Sequence, residues 1–405
     1  VTSFDTSPQL NVWRMLLALA VVFVMLATTG WTALRGQRER SPLEASAAAW
    51  ERGRIDGRDL PGLGSGPARL ARFFASLTEG QRTRLAHRYP LTVGNLNGAP
   101  VALRYRANRA ALRTARAEER RRTHDSRLSP AGQHEAERRM RRYTSLLAHH
   151  RRVLAFDPAG SGRVAEVFGD LGRAERISVV VPGSDTDLLT FQRTERVYSA
   201  PVGMARALYR AERAASPSTR TAVIAWADYT APSGLGVDAA TATLAADGAL
   251  RLTALVRALP GTSPVALFCH SYGSVVCGLA ARRLPGRVAD IAVAGSPGMR
   301  AEKAADLRTP ARVWAMRDAD DWIQDVPHLE WGGLGHGADP VSAAFGARVL
   351  SARGAEGHSG YFVPGTRSLA NFAEIGVGAY RSVDCARGDD GCRAGLSATA
   401  EAGRA

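Results

Sequence analysis

The chain reads as an α/β protein with a mostly parallel sheet covered by helices on both faces, preceded by an apolar N-terminal segment and an arginine-rich helical region. Three observations predict this. After Arg152, short apolar runs of strand length alternate with helix-length segments. The short runs are apolar throughout rather than alternating, as strands covered on both faces must be. One strand-to-helix junction, Cys269-His270-Ser271-Tyr272-Gly273, carries a serine at its apex.

Val153 to Phe156, Ile177 to Val181, Ala222 to Trp226, Val265 to Cys269, Val288 to Ala294, Ala311 to Met316 and Ala347 to Leu350 read as strands. Between them, Val202 to Ala215, Ala239 to Leu259, Tyr272 to Arg283 and Ser368 to Tyr380 have helical length and spacing. Ligands of such sheets bind at the carboxyl ends of the strands, so the residues just after each strand are the ones to search.

Upstream, Met15 to Leu34 holds no charged residue and is bounded by Arg14 and Arg35. Such a segment, at 1.5 Å per residue, covers about 30 Å, the thickness of a bilayer core. It is expected to be an uncleaved single-pass anchor to the cell membrane, because its apolar run is longer than a signal peptide's and no clear small-x-small cleavage site follows. Arg35, Arg38 and Arg40 outnumber Arg14 and favour a cytoplasmic C-terminal side. Long domains translocate despite flanking charge, however, and the pair Cys385 and Cys392 suits an oxidising exterior, so the expectation is extracytoplasmic. The resulting division is a tail over 1–14, an anchor over 15–34, a linker over 35–62, an Arg-rich helical region over 63–152, a catalytic domain over 153–383 and a C-terminal tail over 384–405.

The composition, 45% hydrophobic and 22% charged over 405 residues, is that of a globular protein and excludes a disordered chain. The net charge of +15 is concentrated between Arg104 and Arg152, where fifteen arginines face five acids. Leu70 to Ala86 has a helical period, and Ala107 to His150 reads as a helical hairpin broken at Ser126 to Gly132. Its arginines are read as a solvated helix face, with anionic lipid headgroups as the functional alternative. The segment lacks interleaved aromatics and any recognisable motif, so nucleic acid is not expected as a partner. Neither cysteine pair has the C-x-x-C spacing of a metal or redox site, and neither metal nor cofactor is expected. Cys385 and Cys392 flank a polar loop suited to a small disulfide, whereas Cys269 and Cys277 are expected as free thiols.

The junction at Ser271 has the strand, sharp turn and helix of a nucleophile elbow. The turn lifts Oγ above the sheet, and the helix N-terminus behind it favours developing negative charge. Small residues are needed two positions either side; Gly273 meets this, and Cys269 stands where glycine is usual. The acid should follow a later strand and the base the last one. Asp321 is the first candidate for the acid, ahead of Asp320 and then Asp318. His358 is the candidate base, since it alone follows the last strand-like run; His328 and His336 precede that run, and His270 is adjacent to the serine along a turn. The amides of Tyr272 and, after Pro182-Gly183, of Ser184 are the candidate oxyanion donors. Trp226, Tyr229 and Trp322 are candidates for lining an acyl pocket.

Together these residues resemble the actinobacterial α/β-hydrolase family long catalogued only as a domain of unknown function. The resemblance takes in Gly94-Asn95-Leu96-Asn97-Gly98, Asn108-Arg109, Val181-Pro182-Gly183, Trp226 with Tyr229, and His270-Ser271-Tyr272-Gly273-Ser274. It continues through Gly295-Ser296-Pro297-Gly298, Asp339-Pro340, Phe345-Gly346-Ala347 and His358-Ser359-Gly360-Tyr361. It implies an α/β-hydrolase fold with a Ser-Asp-His triad and assigns no substrate. The resulting expectation is a serine hydrolase acting on a small-molecule or lipid ester, with a catalytically silent envelope binding protein as the alternative.

Overall fold

A sheet of eight strands organises the computed structural model, which describes residues 40–234, 236–386 and 390–396. The strands are β1 (Arg152–Asp157), β2 (Arg163–Gly169), β3 (Arg176–Val181), β4 (Thr221–Ala227), β5 (Val265–His270), β6 (Val288–Ala294), β7 (Arg312–Met316) and β8 (Arg348–Val349). Their order is β1-β2-β4-β3-β5-β6-β7-β8; β2 is antiparallel to both neighbours and the other pairings are parallel. Strand order reverses at β3 and β5, which lie side by side although β4 intervenes in sequence. A crevice forms outside such a reversal, and the residues following β3 and β5 border it.

The seven expected strands are present, the last shortened to two residues. Strand β2 is additional. Its sequence, Arg-Val-Ala-Glu-Val-Phe-Gly, carries charges that hide its buried character: Glu166 is buried because Arg151, just before β1, ion-pairs with it.

The expected linker over 35–62 is folded from Pro42 on. Helix α1 (Pro42–Glu51) and a hairpin pairing Arg54–Ile55 with Arg58–Asp59 bury Trp50, Ile55 and Leu60, and the Trp50 indole donates to the Pro61 carbonyl at 2.8 Å. The period over Leu70 to Ala86 resolves into α2 (Pro67–Ala75) and α3 (Glu79–Arg88), because Ser76 closes the first helix and Thr78 and Gln81 form a reciprocal cap that starts the second. After α4 (Pro90–Asn95), the hairpin of α5 (Val101–Arg122) and α6 (Pro130–Leu146) has the expected break.

This helical region is tied to the sheet by amides. Asn95 bonds both the N–H and the carbonyl of Phe156, and Asn108 donates to the carbonyls of Gly94 and Val153. A Cβ on Gly94 would lie 2.0 Å from Asn108 Oδ1, so the glycine is required by that contact. Many of the arginines are occupied internally. Arg104 is buried against the Gly94 carbonyl, Arg139 donates to the Pro158 carbonyl at 2.8 Å, and Arg106, Arg122, Arg127 and Arg141 pair with nearby acids.

Helices α7 (Pro201–Ala215) and α10 (Arg367–Val377) cover one face of the sheet, and α8 (Thr243–Ala258) and α9 (Gly273–Ala281) the other. Alternation along each strand divides the core: Val179, Val181, Leu267 and Cys269 face α8 and α9, while Val180, Phe268 and Trp314 face α7 and α10. The expected tail from 384 on begins as part of the fold. Cys385 bridges to Leu350, Ala386 donates to the Val349 carbonyl, and Cys385 is disulfide-bonded to Cys392. The expected anchor over 15–34 lies outside the described residues. Among the described residues, no helix is long and apolar enough to cross a membrane.

Glu212 of α7 is fully buried and accepts a hydrogen bond from Ser178 of β3. Burial pushes its carboxyl up to about 7, against the lowering effect of the Ser178 and Thr221 hydroxyls. The folded chain therefore holds a proton that the unfolded chain releases near the ordinary glutamate value of about 4.3. That stabilisation is complete below this value and is lost as pH rises through about 7. Urea unfolding of Glu212→Gln is thus expected to gain on wild type between pH 5 and pH 8, by up to about 3 kcal/mol. A difference independent of pH would show that Glu212 does not carry this proton.

Candidate active site at the carboxyl ends of the sheet

Ser271 follows β5 directly and has φ +54°, a left-handed conformation that costs a non-glycine residue free energy. The turn is held by the Ser271 N–H, which donates to the Ala294 carbonyl at the end of β6, and by the Ser274 N–H, which donates to the Ser271 carbonyl. Two glycines admit it. A Cβ on Gly273 would lie 2.4 Å from the Val181 carbonyl oxygen, and one on Gly183 would lie 2.5 Å from the Ser271 Cβ. The end of β3 therefore passes against the serine turn with no room for a side chain at Gly183 or Gly273.

Cys269 occupies the position where glycine is usual, and its partner explains it. It is disulfide-bonded to Cys277 of α9, correcting the expectation of free thiols. The sharp reversal at Ser271 lays α9 back along β5 and brings the two Cα atoms to 6.5 Å, a separation that a disulfide spans. Both cysteines are buried, and the bond brackets the serine turn.

His358 lies in a 3-10 turn, Gly357–Phe362, after β8. Its Nε2 is 2.9 Å from Ser271 Oγ, and its Nδ1 is 2.8 Å from Asp321 Oδ1. Ser271, His358 and Asp321 are thus brought together in one hydrogen-bonded chain. Asp321, after β7, is wholly buried; its Oδ1 also accepts the Ile323 N–H and its Oδ2 accepts the Tyr361 hydroxyl at 2.5 Å. Burial raises the carboxyl's proton affinity, but the hydrogen bonds from His358 and Tyr361 and the charge on His358 hold it below the ordinary value.

The competing candidates sit elsewhere. Asp320 is exposed, and Asp318 accepts the Gly357 N–H at 2.9 Å, steadying the turn that carries His358. His328 Nε2 is 3.3 Å from the Ser296 carbonyl and His336 Nε2 is 2.8 Å from the Ala239 carbonyl, and neither ring bonds the serine.

Three residues outside the expected triad complete it. The His270 ring donates from Nε2 to the His358 carbonyl at 2.6 Å. Burial and the adjacent His358 push the His270 imidazole down to about 3, so it stays neutral and keeps this bond at physiological pH. The Tyr361 hydroxyl donates a hydrogen bond to Asp321 while accepting the Asp318 N–H at 3.0 Å. Gly295, at φ +54° after β6, leaves space for the pair; a Cβ there would lie 2.7 Å from Asp321 Oδ2 and 3.1 Å from His358 Nδ1. Gly295 and Tyr361 stood in motifs of the resemblance, and no local pattern gave them a role.

Two clefts meet at the serine. One, about 450 Å³, is lined by Ser184, Ser271 and Tyr272 and by the apolar side chains of Pro297, Ile323, Val326, Leu329, Trp331 and Leu334. The other, about 200 Å³, is lined by Ser271, His358 and the loop from Gly183 to Ser199. Trp322 borders both, its ring 4.7 Å from that of His358. Trp226 and Tyr229 do not line either cleft. They are buried and stacked at 5.5 Å, and the Tyr229 hydroxyl donates to the Pro182 carbonyl, holding the turn that presents Ser184. The N–H groups of Ser184 and Tyr272 make no hydrogen bond among the described residues. Among these residues no group of three or more His, Cys, Asp or Glu side chains is placed to hold a metal ion.

A match to a known family agrees with this architecture. Residues 157–331 match a family model described as alpha/beta hydrolase, a stretch that contains Ser271 and Asp321. Two uncharacterized proteins of Mycobacterium tuberculosis, from strains CDC 1551 / Oshkosh and ATCC 25618 / H37Rv, are each 28% identical over 376 residues, covering 79% of this chain. The chain spans 57% of the length of these relatives. Similar solved structures include a protein of unknown function from Agrobacterium tumefaciens, with 10% identity over 44% of this chain and 73% of that chain and a TM-score of 0.29. Another is 2,6-dihydroxy-pseudo-oxynicotine hydrolase, with 11% identity over 68% of this chain and 78% of that chain and a TM-score of 0.28.

Alkylation under denaturing conditions without reductant is expected to leave all four cysteines unmodified, and prior reduction to expose four alkylation sites. Peptide mass mapping that found Cys269 or Cys277 alkylated without reduction would contradict the bracketing disulfide.

Proposed function

We propose that this α/β-hydrolase family member is a serine hydrolase that cleaves a carboxylic ester through an acyl-enzyme on Ser271. The single observation that carries the reading is the continuous hydrogen-bonded chain from Ser271 Oγ through His358 to the buried Asp321. His358 Nε2 takes the Oγ proton as Oγ attacks the ester carbonyl carbon, and Asp321 stabilises the imidazolium that results. The oxyanion is received by the free amides of Tyr272 and Ser184, with the N-terminus of α9 behind them. Collapse breaks the acyl–oxygen bond, and the departing alkoxide takes its proton from His358. Water then attacks the acyl carbon by the same route, releasing the acid and restoring Ser271.

The apolar cleft supports an apolar acyl group. It opens beside a short hairpin, Glu330–Trp331 paired with Leu334–Gly335, whose Trp331 is 80% exposed, and Val237 nearby in the chain before α8 is 74% exposed. Exposed apolar residues gathered at the mouth of a cleft fit a lipid-like ester better than a small polar one. Two disulfides fit an oxidising compartment, and the apolar segment over 15–34 would tether the hydrolase to the cell membrane with its catalytic domain on the outer side.

A fluorophosphonate probe is expected to label the wild-type protein and not Ser271→Ala; equal labelling of both would refute the assignment of the nucleophile. Gly295→Ala should retain the fold and lower kcat for p-nitrophenyl butyrate by roughly 100-fold, since the new methyl displaces the Asp321 and His358 side chains. Unchanged turnover in that variant would mean that the acid and base do not act as a pair.

A further inference from the structure

The smaller cleft contains a feature that ester cleavage alone does not require. Beyond Ser271 and His358 its wall is the loop after β3, which contributes Asp185, Thr186, Thr190, Arg193, Arg196 and Ser199. Neither the Arg193 nor the Arg196 guanidinium makes a hydrogen bond or ion pair among the described residues, in a chain where most arginines near this loop are engaged. The one carboxylate in the wall, Asp185, has Oδ1 occupied by the Gly234 N–H at 2.8 Å. The cleft therefore carries two cationic forks against one acid.

The loop is built to hold them there. Asp187 and Thr190 exchange hydrogen bonds across a tight turn, Leu188 and Phe191 are fully buried, and the Val202 N–H donates to the Phe191 carbonyl. From the helical region, Arg142 of α6 donates to the carbonyls of Leu189 and Gln192, and Arg151 donates to the Gln192 side chain. Arg193 follows directly on this clamp. Arg196 sits at φ +47°, a strained conformation for a residue with a side chain, and such strain persists only where the surroundings impose it.

The chemistry of the triad says which half of an ester lies here. The alkoxide must leave within reach of His358 Nε2, and His358 lines this cleft and not the apolar one. Resting on the acyl-hydrolase reading above, the geometry points to a leaving alcohol that bears a phosphate, bound by Arg193 and Arg196, so that the substrate is an acyl ester of a phosphorylated polyol. Guanidinium forks match phosphate oxygens in pairs, and a phosphomonoester carries close to two charges for the two arginines.

The test compares 1-butanoyl-glycerol 3-phosphate with 1-butanoyl-glycerol, which differ only in the phosphate. Wild-type kcat/KM should favour the phosphate ester by roughly 10- to 100-fold, a preference that falls toward unity in Arg193→Gln/Arg196→Gln and on raising the salt. A wild-type ratio at or below one, or the same ratio in the double variant, overturns the proposal. Presenting 1-dodecanoyl-glycerol 3-phosphate either as monomer or in neutral phosphatidylcholine vesicles separates a soluble phosphate ester from a lipid source. Calorimetric titration of glycerol 3-phosphate into the Ser271→Ala protein, with and without the two arginine substitutions, reads the anion site independently of turnover. Binding weakened roughly tenfold or more by the substitutions supports the site even if no probe labels Ser271, in which case only the hydrolase reading has failed; absence of binding in the Ser271→Ala protein overturns the site.

Discussion

A single buried carboxylate, Asp321, sets the terms for everything at the carboxyl ends of the sheet. Removing such a charge from water is costly unless its oxygens are occupied, and here His358, Tyr361 and the Ile323 amide occupy them. Each donor comes from a segment that must be placed to reach it. The turn bearing His358 and Tyr361 follows β8, Ile323 follows β7, and Gly295 at the end of β6 gives up a side chain to make room. His270, at the end of β5, then fixes the turn from the other side through the His358 carbonyl. Four neighbouring strand ends are thereby committed to one ionised group.

The serine answers a second constraint, close approach. The end of β3 and the turn after β5 pass so near each other that Gly183 and Gly273 are both excluded from carrying a Cβ, and Ser271 is held in a left-handed conformation between them. The Cys269–Cys277 disulfide fastens this turn to the helix that follows it. The arginine-rich helices contribute from the opposite side. Through Arg142 and Arg151 they clamp the loop that walls the smaller cleft, so a region that looks like a separate basic surface is part of the site's scaffold.

Much of this was legible before any coordinates, for identifiable reasons. Strands buried on both faces announce themselves by unbroken apolar runs, and the serine turn by the small residue after it and the helix beyond. The order of elements then pointed to Asp321 and His358, which the fold places against each other. What escaped was whatever depends on a distant partner. Strand β2 was hidden because Glu166 is neutralised by Arg151, and the disulfide because a cysteine at a glycine position gives no hint of where it points. Tyr361 and Gly295 acquire meaning only once Asp321 has been folded next to them. Trp226 closes a strand and Tyr229 follows it, as pocket residues do, yet their rings stack in the core, and only the Tyr229 hydroxyl reaches the turn at Pro182.

The account rests on covalent chemistry at Ser271, and the most direct measurement is acid-quenched intact-protein mass spectrometry during the first turnovers of p-nitrophenyl butyrate. It predicts a protein species heavier by one butanoyl group, mapped to the peptide containing Ser271 and absent from Ser271→Ala. Turnover with no such adduct under any quench time, or an adduct that maps to another residue, would contradict it.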